Sequence, residues 1–366
     1  MSMKFIDLDN QFKRIENNLK KRFDTVFNHK QFINGPEITE LEEILAEYVG
    51  VKFCITTANG SDSLFLSLMA LGIGKGDQVI TSPFTYVATA EMIKLTGATP
   101  VFADIDENTF NIDPEKIKAK INKKTKAILP VSIFGQCADF SRINAIAKEH
   151  ALFVIEDGAQ SFGATLNGKR SCSFSDIGCT SFFPTKPLGC YGDGGAIFTN
   201  NVKLNSLMRS LKDHGQVSKN NFKYLGVNSR LDSLQAAVLL EKIKTFNEEI
   251  KLRQYLADRY TRLLQDEKKL LQTPKVIENG TSVWAQYTVK VKNRSTIIKN
   301  LKKHKVPFAI YYEQPLYDYP PYSDENKEPN CQTTKKICNE VLSLPIHPWL
   351  KKEDQDRVAA IIRSKT

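Results

Sequence analysis

The chain has 366 residues, 41% of them hydrophobic, 25% charged and 10% aromatic, with a formal charge of +10, which is the composition of an ordinary globular protein. No tract is biased or repeated, so the chain is expected to fold throughout, and at this length a single core gives way to two. The charge alone does not choose between nucleic acid, an acidic surface and a phosphorylated small molecule. The lysines are spread (Lys20, Lys21, Lys123, Lys124, Lys302, Lys303) with no aromatic-interleaved basic stripe, which argues against nucleic acid and reads mainly as solvated surface.

The opening MSMKFIDLDNQFKR lacks the apolar centre of a signal peptide. No later segment approaches ~20 apolar residues, so no membrane span and a cytoplasmic location are expected. Seven cysteines (Cys54, Cys137, Cys172, Cys179, Cys190, Cys331, Cys338) are odd in number and form no CxxC pair. They read as reduced thiols, with neither a disulfide framework nor a metal site expected.

Pro36 opens a helix in which Ile38, Leu41, Ile44, Leu45 and Tyr48 recur at helical spacing, and Gly50 ends it. A strand at 53–56 leads to Asn59-Gly60-Ser61 and a second helix through Leu64, Leu68 and Leu71. Residues 78–81, 100–103 and 127–131 read as strands, with a helix from about Tyr86. The apolar run 152–155 ends in Glu156-Asp157. That sets Asp157 at the carboxyl end of a buried strand, where open α/β sheets bind ligands. The alternation predicts an α/β protein with a mostly parallel sheet and helices on both faces. An amphipathic pattern over 231–264 is expected to bridge a large domain, 1–245, to a smaller C-terminal α/β domain, 246–366. In the latter, strand signals at 285–291 and 307–312, helical signals at 296–303 and 335–342, and a turn-rich stretch at 315–330 predict a small domain with a mobile loop.

The strongest chemical signal is SFFPTKPLGCYGDGGAIFTN, from Ser181 to Asn200. Lys186 stands between two prolines and ahead of Gly189, Gly192, Gly194 and Gly195, which places it on a turn where the backbone can approach a ligand. A lysine held in a cleft loses ammonium solvation and becomes an amine able to form a Schiff base. Read alone it is equally a solvated lysine of a surface loop. Its company decides: Asp157 and Gln160 upstream and a helix start at Gly60-Ser61 are the carboxylate and anion-binding donors a pyridoxal-phosphate site requires.

The strings NGSDSL, PFTYVATAE, VIEDGAQSFGA, TSFFPTKPLGCYGDGGA, GVNSRLDSLQAAVL and SLPIHP resemble, in order and nearly from end to end, the motifs of the DegT/DnrJ/EryC1/StrS family of sugar aminotransferases. The resemblance implies a fold-type I enzyme with pyridoxal 5'-phosphate, cycling through the pyridoxamine form, and Lys186 as the catalytic lysine. It also implies Asp157 on the pyridine nitrogen, Gln160 at the ring hydroxyl, Phe84 stacked on the ring, and Gly60, Ser61 and Ser181 around the phosphate. Asn228 is implied to reach the phosphate of a neighbouring subunit in a homodimer. Without the family, Phe84 reads as core, Asp157 as a strand-end cap and NSRLD as a helix N-cap.

Many relatives carry a histidine in the 309–312 segment, where this chain has Tyr311, Tyr312 and then Glu313; Tyr312 is taken as a substrate contact. Dehydratases of the family replace the lysine by histidine, and this chain keeps Lys186. The wording FFPTKPLGCYGDGGAIFTN, VSIFGQCADF and VNSRLDSLQAAVL resembles the branch acting on UDP-2-acetamido-2-deoxy-3-keto-glucuronate, with glutamate as amino donor, in bacterial surface polysaccharide synthesis. Arg230 is expected to meet the sugar carboxylate with a bidentate fork, or else to pair with Asp232 or a phosphate. The rival readings are amination of a nucleotide-linked 4-keto-6-deoxy sugar, and a pyridoxal-phosphate- or DNA-binding regulator without turnover.

Overall fold

The computed structural model describes residues 3–323 and 329–364. Its centre is a seven-stranded sheet running, edge to edge, Phe53–Thr57, Gly195–Thr199, Ile177–Ser181, Phe153–Asp157, Thr125–Leu129, Gln78–Thr81 and Thr99–Phe102. All neighbours are parallel except Gly195–Thr199, which is antiparallel to both its partners. The exception has a simple origin. Parallel neighbours need a crossover, usually a helix, whereas the chain returns from Ser181 to Gly195 through an irregular loop.

Alternation along the strands sends side chains to two faces. Ile55 and Ile197 join a core with Leu64 and Leu68 of helix Gly60–Ala70 and Met208 of helix Val202–Leu211. Cys54, Ala196 and Phe198 point the other way, into a core with Leu41 and Leu45 of helix Pro36–Val49, Leu19 of helix Leu8–His29 and Phe246 of helix Ser233–Leu264. Helices therefore cover both faces, as the fold-type I pattern requires. Each fully buried Leu or Phe contributes about 1.5–3 kcal/mol.

Helix Ser233–Leu264 spans the expected division at residue 245 without a break. Its first half packs in the large core, while Leu256, Ala257, Tyr260 and Leu264, at helical spacing, face a second core. That core includes Tyr287, Val289 and Val291 of strand Tyr287–Val291, Leu342 and Leu344 of strand Val341–Leu344, and Val358 and Ile362 of helix Lys352–Arg363. The C-terminal sheet has three antiparallel strands, completed by Leu270–Gln272.

Two C-terminal expectations change. Residues 307–312 form no strand and contribute only an isolated bridge, Ala309 to Ser343. The expected helix at 335–342 is the helix Gln332–Glu340, after which Val341–Leu344 turns extended to complete the sheet. Leu316 and Tyr322 of the turn-rich stretch, with Cys331 just after it, pack on Ala90 and Phe102, and the Leu316 N–H donates to the Pro83 carbonyl at 2.9 Å. The expected mobile loop falls in part on 324–328, outside the described residues. Among the described residues, no helix is long and apolar enough to cross a membrane, and no cluster of His, Cys, Asp and Glu could hold a metal.

Candidate active site

A cavity of about 650 Å³ opens at the carboxyl ends of the parallel strands. Gly60, Ser61, Asp157, Gln160, Ser181, Lys186, Tyr311 and Tyr312 all line it, so most of the residues singled out by sequence converge there from segments far apart in the chain.

Asp157 ends strand Phe153–Asp157. One carboxylate oxygen accepts from the Thr89 hydroxyl at 2.8 Å, the other from the Ala159 N–H at 3.2 Å. Burial pushes its pKa up, against these bonds and the nearby Lys186. Lys186 sits in a loop closed at its base by Phe182 N–H to Gly194 O, 2.7 Å, and Cys190 N–H to Phe182 O, 2.8 Å. Burial lowers its pKa, with Asp157 opposing. Desolvation favours an unprotonated, nucleophilic lysine, and the carboxylate of Asp157 works against it, holding the amine in place.

At the other end of the cavity, Asn59 caps helix Gly60–Ala70 and accepts the Asp62 N–H at 2.8 Å. The N–H groups of Gly60 and Ser61, in the first turn, have no acceptor among the described residues. The Ser181 hydroxyl oxygen accepts from Phe183 N–H at 3.3 Å, leaving its own hydrogen free. A Cβ on Gly60 would lie 2.6 Å from the Ser181 Cβ, so only glycine lets the helix start meet Ser181 this closely. Three donors at a helix N-terminus form an anion cradle.

The structure does not bring every expected residue to the cavity. Phe84 is 1% exposed and sits in an aromatic cluster with Phe110 and Phe134, behind the lining residue Tyr312 and not itself in the cavity lining. Two residues on, Tyr86 is 62% exposed and does line it. PFTY offered two aromatics, and nothing local in the sequence distinguishes the buried ring from the exposed one. Asn228 is exposed and Arg230 pairs with Asp213 at 2.9 Å, not with Asp232; neither lines the cavity of its own chain. Ser229 between them is buried and accepts from Ala58 N–H at 3.3 Å.

The sequence profile of the DegT/DnrJ/EryC1/StrS aminotransferase family matches residues 13–363. The chain belongs to this family. It is 51% identical, over 95% of its length and 96% of the relative's, to UDP-2-acetamido-2-deoxy-3-oxo-D-glucuronate aminotransferase of Pseudomonas aeruginosa. Its fold superimposes on a DegT/DnrJ/EryC1/StrS aminotransferase from Brucella abortus with a TM-score of 0.95 at 40% identity, covering 99% and 98% of the two chains. A third likeness is NtdA of Bacillus subtilis, solved with bound cofactor PMP, at TM-score 0.89 and 32% identity over 94% of this chain and 80% of that one. The family is pyridoxal-phosphate dependent. The residues present fit that cofactor: an amine, a carboxylate and a side-chain amide surround one end of the cavity, and three unpartnered donors the other.

Proposed function

We propose that this aminotransferase moves the amino group of glutamate to the 3-keto carbon of UDP-2-acetamido-2-deoxy-3-keto-glucuronate, in the cytoplasm, for a bacterial surface polysaccharide. The observation that carries the reading is the convergence of Lys186, Asp157 and the Gly60–Ser61–Ser181 cradle on one cavity. The 51% identity to the Pseudomonas enzyme supports the choice of sugar. Seven buried, unpaired cysteines support a reducing compartment.

When bound, pyridoxal phosphate supplies an aldehyde carbon for the amino group and a ring that takes up the electrons released as a Cα proton leaves. The chain's own residues do the rest. Lys186 carries the proton between the donor's Cα and the cofactor's C4', which its desolvated amine suits. Asp157, held by Thr89 and Ala159, keeps the pyridine nitrogen protonated through a charge-assisted hydrogen bond. Gln160 presents its amide to the ring oxygen. Gly60, Ser61 and Ser181 hold the phosphate. Glutamate leaves as its keto acid, and the same residues then serve the keto-sugar in reverse.

The site is incomplete within one chain. Its charged lining consists of Asp62, Asp157, Asp193 and Lys186 among the described residues, a poor match for a diphosphate and a uronate. We infer a homodimer in which the partner subunit's Asn228 and the partner subunit's Arg230 complete each cavity. Exposed apolar residues beside that segment, Phe222, Tyr224 and Leu225, with Phe27, Phe32 and Ile33, support association. Borohydride reduction of the cofactor-loaded protein followed by peptide mapping tests the core of the reading. The cofactor mass should appear on the Lys186 peptide and vanish in Lys186→Ala; attachment at another lysine refutes it.

A further inference from the structure

The orientation of the Gln160 side chain is fixed by its partners. Its Oε1 faces the Phe134 N–H at 2.9 Å, and a backbone N–H can only donate, so this atom is the amide oxygen. The Nε2 therefore faces the Tyr312 hydroxyl, at 3.1 Å, and donates to it. An amide nitrogen has no lone pair to offer in return, so the hydroxyl hydrogen of Tyr312 must go elsewhere. Among the described residues nothing accepts it, and both Gln160 and Tyr312 line the cavity.

The Tyr312 ring is not free to search for another partner. It stands edge-on to Phe84, with centroids 5.7 Å apart at 85°, and against Tyr311 at 5.8 Å. Burial pushes its hydroxyl well above the ordinary tyrosine range, so it stays protonated and remains a donor. The pair thus offers the cavity two hydrogens, the second on Nε2 and the one on the hydroxyl. A sugar hydroxyl both donates and accepts. An oxygen carrying only lone pairs and negative charge fits the pair better.

We propose that Tyr312 is a cofactor-binding residue, a second donor beside Gln160 to the deprotonated ring oxygen of pyridoxal phosphate, rather than a contact to the acceptor sugar. The proposal rests on the cofactor reading above. It also gives the C-terminal segment a direct hold on the cofactor, because Tyr312 clusters with Ile310, Ile337 and Val341 as well as with Phe84 and Phe134.

A donor aimed at the ring oxygen favours its unprotonated state, so removing the donor lets the bound cofactor hold its proton to higher pH. In the holoenzyme, Tyr312→Phe, which keeps the ring, should raise the pH midpoint of the cofactor's visible absorbance change by about one unit, tenfold in proton affinity. It should also weaken pyridoxal phosphate more than its 3-deoxy analogue. Should that variant not fold, 3-fluorotyrosine at position 312, a more acidic donor, should lower the midpoint instead. An unchanged midpoint with a raised KM for the keto-sugar would overturn the proposal and return Tyr312 to the acceptor. A wild-type protein with no titrating visible band would sink the cofactor reading itself, a separate failure.

Discussion

Replacing Gly60 by alanine tests whether the helix start is a phosphate cradle. The new Cβ would sit 2.6 Å from the Ser181 Cβ, 3.1 Å from its Cα and 3.2 Å from its Oγ. Carbon atoms in contact prefer ~3.5–4.0 Å, so the helix start and strand Ile177–Ser181 must part by roughly 1 Å. N–H···O bonds weaken steeply with such lengthening. Overpacking of this kind costs about 1–3 kcal/mol. Expressed in the cradle, this corresponds to roughly a five- to 150-fold loss of affinity for the phosphorylated cofactor. Pyridoxal, which lacks the phosphate, should bind Gly60→Ala and wild type alike. Gly168→Ala is the control: it meets nothing within 4 Å and carries only the strain of its φ of +77°, about 1 kcal/mol of stability with no effect on either ligand. Fluorescence titration with both ligands reads the difference. Equal losses for pyridoxal and its phosphate in Gly60→Ala would refute the cradle.

Three further outcomes are expected. Burial raises Glu156 to about 7, against hydrogen bonds from Ser171 and Ser132. Since that exceeds the unfolded value near ~4.3, the stability it contributes is complete below the unfolded value and is lost as pH rises through 7. The deficit of Glu156→Gln in urea denaturation should therefore shrink between pH 5 and pH 8, and a constant deficit counts against the assignment. Mixing inactive Lys186→Ala chains with inactive Asn228→Ala chains should restore about a quarter of wild-type activity through dimers with one intact site, whereas no recovery speaks against shared sites. Arg230→Lys should cost the uronate acceptor about tenfold or more in kcat/KM and the matching neutral hexose little, because an ammonium cannot reproduce the guanidinium fork. Equal losses would show that the arginine only holds Asp213.

Much of the sheet was legible because its parallel strands are short apolar runs bounded by turns. Gln78–Thr81 falls where its pattern places it, and Phe153–Asp157 carries Asp157 to its carboxyl end as expected. The two strands flanking Lys186 were not seen. Ile177–Ser181 holds a glycine, a cysteine and a threonine, and Gly195–Thr199 begins inside the glycine run, so both look like loop until their neighbours bury them. The 22-residue helix Leu8–His29 was also missed. Its buried Ile15, Leu19 and Val26 form a narrow stripe, and Phe12 and Phe27 on its exposed side blur the period.

At the site, chemistry was easier to read than direction. Lys186, Asp157 and Gln160 reach the cavity because strand ends and a tight loop leave them nowhere else to point. Phe84 and Tyr86 could be told apart only once the turn 82–87 was seen to bury one ring and expose the other. Tyr312 was expected to face the substrate, and its bond to Gln160 depends on a contact between residues 152 positions apart, invisible to any local pattern.

The central claim is tested most directly by mass spectrometry of products formed from ¹⁵N-labelled glutamate and a panel of UDP-, GDP- and dTDP-linked keto-sugars. The account predicts one ¹⁵N on UDP-2-acetamido-2-deoxy-3-keto-glucuronate, in preference to the other acceptors, and none with Lys186→Ala. Preferential labelling of a 4-keto-6-deoxy sugar, or no labelled sugar from folded, cofactor-loaded protein, would contradict it.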